Sequence, residues 1–386
     1  MRGAARYLLL GVCFVLLYVA YHGSHTRPKR SLGTLKYTRQ HVRRVSDLAT
    51  YLARRSRDPY NTAVVAWEDD EVIAPDVGDR ETLSTLAEMA NLAYYRNASK
   101  DAPTLPGWSI TYSFGWDSDG LRGHVFTSPD SPVAVTALKG TSATFLPGGG
   151  DTARRDKDND NLFFSCCCAR VTPSWTPACG CFDDDARTCD AHCVSRALIE
   201  HSLYYPAATA VYNNVSYTYP EHQLWMTGHS LGGATASLLG ITFAVPTVAF
   251  EAPGERLAAA RLHLPLPPPE FPDQDAFARA PVTHVYNTAD PLAMGDCQGP
   301  HSLCSIAGYA METRCHAGRS VIYDTRKYLG WSSNVLAHRL ASVMELLAED
   351  WDTLASKHAP HNETLGEVPA PVRESNCTEC TDWTYI

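Results

Sequence analysis

Residues 224–240 read LWMTGHSLGGATASLLG, a serine between two glycines at alternate positions. Leu224, Trp225 and Met226 precede it as an apolar strand would, and Ala234, Ala236, Leu238 and Leu239 follow as a helix would. The bland reading is a serine in a glycine-rich turn. The chemical reading is a nucleophile elbow, in which a strand turns sharply into a helix and lifts the serine above the sheet. An elbow needs little bulk at Gly228 and Gly232, because backbone and helix pass close together there. It also sets Ser230 at a helix N-terminus, where amide donors can receive a developing oxyanion. The strand-like and helix-like flanks favour Ser230 as a nucleophile.

A serine hydroxyl at its free pKa is a poor nucleophile and requires a histidine base held by a carboxylate. In the elbow architecture these follow the serine in the order acid, then histidine. In 283–295, THVYNTADPLAMG, a strand ends and Asp290 follows in a loop closed by Pro291. Asp290 is the leading acid, with an Asp-Pro turn as the plain alternative and Asp296 and Asp324 as rivals. Histidines 284, 301, 316, 338, 358 and 361 are the candidate bases. His338 is favoured because it opens the last strong helical pattern, with Ser332–Asn334 as capping candidates; a helix start keeps imidazole neutral. A surface histidine is the alternative. The oxyanion amides are assigned to Leu231 and to Thr141, in the turn after the strand-like VAVTAL. Thr141 also carries a hydroxyl that could reach the oxyanion, although a plain glycine turn explains Gly140-Thr141 equally well. This chemistry calls for no metal and no cofactor. Because the base must be neutral, activity is expected to fall as pH drops through the imidazole range.

Strand-like runs fall at 109–114, 124–127, 133–138, 224–227, 247–250 and 282–286, and helical patterns at 82–96, 192–205, 233–239 and 336–350. Apolar strands alternating with helices predict an α/β fold, a mostly parallel sheet covered on both faces. Residues 61–357 are read as one hydrolase domain with a Cys-rich insertion at 147–193, and 358–386 as a polar C-terminal tail.

The charge is divided along the chain. Residues 2–57 hold twelve Lys/Arg against one acid, Asp47, while the remainder holds 21 Lys/Arg against 41 Asp/Glu. An acidic body argues against nucleic acid as a partner. Residues 7–21, YLLLGVCFVLLYVAY, carry no charge, and no small-residue cleavage site follows them. Residues 1–22 are therefore expected to be an uncleaved signal anchor, a transmembrane segment, and 23–60 a basic juxtamembrane stalk. The basic downstream flank would place the body in the cytoplasm. Sequons at Asn97, Asn214, Asn362 and Asn376, and an even twelve cysteines beyond the anchor, outweigh it and place the body in the lumen. Seven of those cysteines lie in the insertion. Disulfides are preferred to a zinc site there, with at least one partner outside, Cys297, Cys304 or Cys315 being candidates. Leu162–Phe164 in the insertion is either a mobile cover for an apolar cleft or simply core.

The segments ALKGTSATF (137–145), GGGDTARRDKDNDNLFFSCCCA (148–169), GHSLGGATASLLG (228–240), AFEAPGERLAA (249–259) and HVYNTADPLAMG (284–295) together resemble the class 3, fungal triglyceride-lipase-like α/β hydrolases. Within these, the Cys-rich segment is most similar to the fungal vacuolar lipases that break down autophagic bodies. The resemblance implies Ser230, Asp290 and His338 as a triad. It implies membrane lipid, phospholipid or triacylglycerol, as substrate, with protein partners unspecified. It also implies a single-pass type II protein travelling through the endoplasmic reticulum, Golgi, endosomes and multivesicular bodies to the vacuole lumen. A soluble-ester esterase and a non-catalytic lipid-binding ectodomain on a hydrolase fold are the alternatives.

Overall fold

In the computed structural model the described residues are 33–57, 65–96, 102–117, 120–142, 152–173, 175–268, 275–374 and 376–386. The expected anchor at 1–22, the first part of the stalk and Asn97 lie outside them. Among the described residues no helix is long and apolar enough to cross a membrane.

The chain supplies strands β1 (Tyr37–Val45), β2 (Trp67–Pro75), β3 (Ser109–Phe114), β4 (Gly123–Thr127), β5 (Val133–Leu138), β6 (Phe182–Asp183), β7 (Thr188–Cys189), β8 (Gln223–His229), β9 (Thr247–Phe250), β10 (Val282–Asn287), β11 (Arg319–Tyr323) and β12 (Thr384–Tyr385). Its principal helices are α1 (Leu48–Arg57), α2 (Arg80–Leu92), α3 (Ala153–Phe164), α4 (Ala191–His201), α5 (Tyr204–Thr218), α6 (Leu231–Phe243), α7 (Arg256–Arg261), α8 (Leu340–Leu346) and α9 (Trp351–His358).

Seven strands form the central sheet in the order β11-β10-β9-β8-β5-β4-β3. From β11 through β5 every neighbour is parallel, and β4 and β3 close the edge antiparallel. The parallel strands are buried on both sides, as their continuous apolar runs demand. Leu198, Tyr204, Leu231 and Leu238 pack on one face and Leu83, Leu86, Met89, Trp225, Val343 and Trp351 on the other. This is the α/β-hydrolase arrangement, with parallel strands next to the elbow and an antiparallel edge.

Several expectations shift. The segment read as a stalk over 23–60 includes β1, which pairs antiparallel with β2 over its whole length. The reason is charge. β1 is basic and β2 opens Trp-Glu-Asp-Asp-Glu, so Arg43 Nε donates to Asp69 at 2.6 Å, while Arg39–Glu71 and Arg44–Asp70 pair alongside. Exposed pairs of this kind contribute little each, about 0–1 kcal/mol, but they set register. The expected single helix at 192–205 is two, α4 and α5, with Pro206 placed in the first turn of α5 where its missing N–H costs nothing. The expected helix at 336–350 begins only at Leu340, and Asn334 caps a turn by accepting from Leu336 N–H at 2.9 Å.

The insertion carries α3 and a small sheet in which β7 pairs with β6 and, from the far end of the chain, with β12. Phe163 and Phe164 are fully buried in the main core, so the Leu162–Phe164 segment is core rather than a mobile cover. Six disulfides join Cys166–Cys380, Cys167–Cys189, Cys168–Cys179, Cys181–Cys193, Cys297–Cys304 and Cys315–Cys377. The thiols of the insertion are thus committed to disulfides, not zinc. The outside partner of the seven is Cys380 in the tail, and Cys297 and Cys304 pair with each other. The tail is therefore built in, since Cys166–Cys380 closes a separation of 214 residues. The side chains of Asn214, Asn362 and Asn376 are exposed.

An ion pair between a buried histidine and a partly buried glutamate fixes the tail further. His316 Nδ1 lies 2.8 Å from Glu374 Oε1, and His316 Nε2 lies 3.0 Å from the Ala252 carbonyl. Burial alone would push His316 down, but Glu374 raises it, and His316 in turn holds Glu374 below its ordinary range against the upward push of burial. The stability from the raised histidine is complete below about pH 6.5 and is lost as pH rises through its folded value. The stability from the depressed carboxylate is complete above about pH 4.3 and is lost on acidification through its folded value. Glu374→Ala should therefore destabilise by about 3–5 kcal/mol near pH 5–6, and by less at pH 8, measured by chemical denaturation. An equal cost at both pH values would show that the pair is not ionic.

Candidate active site

The site sits where the parallel strands end at their C-terminal edge, the usual position for chemistry in such sheets. β8 ends at His229, and Ser230 takes φ 56° and ψ −129° before α6 starts at Leu231. A non-glycine residue there is strained by about 1–3 kcal/mol, which neighbours must hold in place. Ser230 N–H donates to the Phe250 carbonyl at 3.0 Å and its carbonyl accepts from Ala234 N–H at 2.9 Å. The flanking glycines are required by contact. A Cβ on Gly228 would stand 2.6 Å from the Gly232 carbonyl carbon, and one on Gly232 would stand 2.4 Å from the Leu138 oxygen.

The three residues read as a triad meet. His338 Nε2 lies 2.8 Å from Ser230 Oγ, and His338 Nδ1 lies 2.7 Å from Asp290 Oδ2. Asp290 is wholly buried, and its Oδ1 accepts from Leu292 N–H at 2.8 Å. Burial would push Asp290 up, but the His338 imidazole and these hydrogen bonds hold it below the ordinary carboxylate range. The acid is therefore ionised and faces the imidazole. Asn334 N–H donates to the Ala289 carbonyl at 3.1 Å, tying the histidine loop to the aspartate loop.

The rivals are occupied elsewhere. Asp324 accepts from Thr288 Oγ1 and caps a short turn of helix through Lys327 N–H. Asp296 is exposed and 4.0 Å from Arg326. His284 pairs with Glu255, His316 with Glu374, and His301 and His358 are exposed.

β5 pairs in parallel with β8, Leu138 opposite Gly228, so the turn after β5 runs beside the serine. A Cβ on Gly140 would lie 3.1 Å from Ser230 Cβ, which sets Thr141 next to the nucleophile. Leu231 is the first residue of α6, so its N–H has no acceptor within the helix. The Thr141 hydroxyl, in contrast, donates to Asp160 Oδ2 at 2.7 Å. It positions the turn, and the backbone N–H is what Thr141 has left to offer an oxyanion. Lys139, buried, locks the same turn by donating to Gly140 O at 2.8 Å and Ser142 Oγ at 2.7 Å, with Asp156 3.5 Å away.

Sequence reasoning passed over several functional neighbours. His229, inside the motif itself, has Nε2 2.8 Å from the His338 carbonyl and Nδ1 2.7 Å from Tyr94 Oη. A carbonyl only accepts, so Nε2 carries the proton and the Tyr94 hydroxyl donates to Nδ1. Burial pushes His229 down to about 3, so it stays neutral and braces the His338 backbone. Glu251 and Asn287, at the ends of β9 and β10, lie behind Asp290. Only the elbow's own spacing could have flagged His229, and nothing local marks Tyr94.

Because the contacts of Gly232 are with backbone, Gly232→Ala should cost about 1–3 kcal/mol and displace Ser230 enough to slow its modification by a fluorophosphonate roughly 100-fold. A Gly232→Ala protein labelled at the wild-type rate would show that the elbow tolerates the added carbon.

The model of the family described as Lipase (class 3) matches residues 167–250, a span that holds Ser230 but not Asp290 or His338. Among curated relatives, a protein of Mycosarcoma maydis named "Putative lipase ATG15" is 52% identical over 339 residues, covering 86% of this chain and 65% of that protein. Relatives of the same name from Cryptococcus neoformans and Yarrowia lipolytica are 41% and 42% identical, covering 83% and 92% of this chain and 70% and 62% of their own lengths. The chain thus spans between 53% and 70% of the length of the curated relatives it matches. Solved structures with a likeness include the Lip2 lipase of Yarrowia lipolytica (TM-score 0.32, 15% identity, 63% of this chain and 80% of that one). Another is a triacylglycerol lipase described as having a serine protease triad at its catalytic centre (TM-score 0.35, 14% identity, 66% and 91%). At these scores neither adds to the argument from topology. On sequence identity over most of its length, the chain belongs to the fungal lipase family that its relatives name ATG15.

Proposed function

We propose that this protein is a serine lipase that hydrolyses the acyl esters of membrane lipids, phospholipid or triacylglycerol. The observation that carries the proposal is the unbroken line of hydrogen bonds from Ser230 Oγ through His338 to Asp290. In that line His338 takes the serine proton as Oγ attacks the ester carbonyl. The oxyanion forms beside the N–H groups of Leu231 and Thr141. His338 then gives the proton to the leaving alcohol, and a water activated by the same imidazole releases the fatty acid from the acyl-enzyme.

Exposed apolar side chains on the segments that follow the triad residues are consistent with a lipid substrate. Leu336, two residues before His338, is 50% exposed, and Leu303 and Ile306, on the short helix at the Cys297–Cys304 disulfide, are 56% and 71% exposed. The uncharged segment at 7–21, the sequons and the disulfide framework support a membrane-anchored, lumenal, glycosylated protein. The resemblance of the Cys-rich segment to the fungal vacuolar lipases suggests a role in degrading autophagic bodies and multivesicular-body vesicles in the vacuole, reached by way of endosomes.

Purified protein incubated with mixed-lipid vesicles should release fatty acid, and Ser230→Ala should lower the rate by on the order of 10⁴-fold or more. Hydrolysis of small soluble esters alone, with intact vesicles, would reduce the reading to an esterase. If the exposed leucine and isoleucine seat the protein on lipid, Leu303→Ser with Ile306→Ser should lower vesicle hydrolysis about tenfold or more, from roughly 1.5 kcal/mol of transfer energy per side chain. Hydrolysis of a soluble ester by the same variant should remain within about twofold, and parallel losses on both substrates would sink the seating role.

A further inference from the structure

Behind the triad stands a second carboxyl that the relay itself does not use. Glu251 follows β9 and is wholly buried, with φ 44°, the left-handed region that an L side chain enters only under constraint. Its backbone N–H donates to the Val285 carbonyl at 2.9 Å, which fixes it against β10. Its Oε1 accepts from Asn287 Nδ2 at 2.7 Å and from Asn287 N–H at 3.2 Å. The same Asn287 Nδ2 donates to the Ala337 carbonyl at 3.0 Å, the residue just before His338. The carboxyl of Glu251 also stands close enough to that of Asp290 for each to act on the other. Two carboxylates only accept, so the pair can bond only by sharing one proton.

Which carboxyl holds the proton follows from the neighbours. Asp290 faces His338 and accepts from Leu292 N–H, and its charge is also felt by the buried His229. Glu251 faces Asp290 and the neutral amide of Asn287, with the Tyr286 phenol on β10 nearby. Burial, together with the negative charge on Asp290, raises Glu251 well above the ordinary carboxyl range. Asp290 keeps the charge and Glu251 keeps the proton.

We propose that Glu251 is a positioning residue of the triad: its carboxyl donates a proton to Asp290 and, through Asn287, fixes the backbone that presents His338. This rests on the triad reading above. The donated proton draws charge from Asp290, so the aspartate stabilises imidazolium less than a lone carboxylate would. The left-handed backbone places the carboxyl, and Asn287 couples it to the histidine loop.

The test uses two variants and a spectrum. Glu251→Gln preserves every contact, its amide oxygen accepting from Asn287 and its NH₂ donating to Asp290. It should keep kcat/KM within about threefold and leave the acid limb of the pH profile in place. Glu251→Gly suits the positive φ and removes the carboxyl without backbone strain. It should lower kcat roughly 10–100-fold and move the acid limb upward by about half to one pH unit. A purely structural role would lower kcat without moving the limb. A folded Glu251→Gly with wild-type kcat and acid limb overturns the proposal, as does a Glu251→Gln as impaired as the glycine variant. Should Glu251→Gly not fold, the infrared difference between wild type and Glu251→Gln at pH 6 decides: a protonated-carboxyl band in wild type supports the proposal, and its absence overturns it. Ser230→Ala in the same assay separates the two readings, since activity that survives it would refute the triad and leave the infrared result untouched.

Discussion

The imidazole of His338 is held from both sides, by a buried, ionised aspartate at Nδ1 and by a strained serine at Nε2. Each contact depends on a different part of the fold. Asp290 is ionised in a dry site because the imidazole, the Glu251 carboxyl and the Leu292 amide offset the cost of burial. Ser230 keeps its left-handed backbone only because glycines on either side let α6 close against β5 and β8. His338 comes from a loop with no regular structure, and it is placed by what it touches: the His229 ring on its carbonyl, Asn287 on the preceding carbonyl, and Asn334 on the aspartate loop. Loops of that kind are aimed by such bonds, because they have no ladder of their own.

The parallel order β11-β10-β9-β8-β5 converts distance in sequence into proximity in space. The ends of β5, β8, β9 and β10 deliver the oxyanion turn, the nucleophile, Glu251 and the acid to one edge of the sheet. The Cys-rich insertion and the C-terminal tail then close around that frame. β12 joins the insertion's small sheet, Cys380 and Cys377 staple the tail, and Glu374 pairs with His316 beside the end of β9.

Much of this was legible in the residues. Runs rich in Val, Ala, Thr and aromatic residues predicted six of the seven sheet strands, and the parallel ones stood out because strands buried on both faces are continuous apolar runs. β11 escaped because RSVIY is short and follows a glycine turn. The ribbon of β1 and β2 escaped for a different reason. A basic stretch reads as a solvated linker until its acidic partner, thirty residues away, is brought beside it. The serine was visible through its glycines and the aspartate through its strand-loop position. Spacing alone left the histidine one of six, since a base in an irregular loop carries no periodic signal, and the family resemblance was needed to choose it. Glu251, His229 and Tyr94 were hidden because their role lies in contacts that span distant segments. Disulfide pairing was hidden for the same reason, and only the coordinates show that the odd cysteine of the insertion reaches the tail.

The most direct test of the central claim is the rate at which a fluorophosphonate modifies the protein, with the site mapped by mass spectrometry. The account predicts a single adduct on Ser230, formed at least about 100-fold more slowly in His338→Ala and in Asp290→Asn proteins of unchanged fold. An adduct elsewhere, or equal rates in all three proteins, would contradict it.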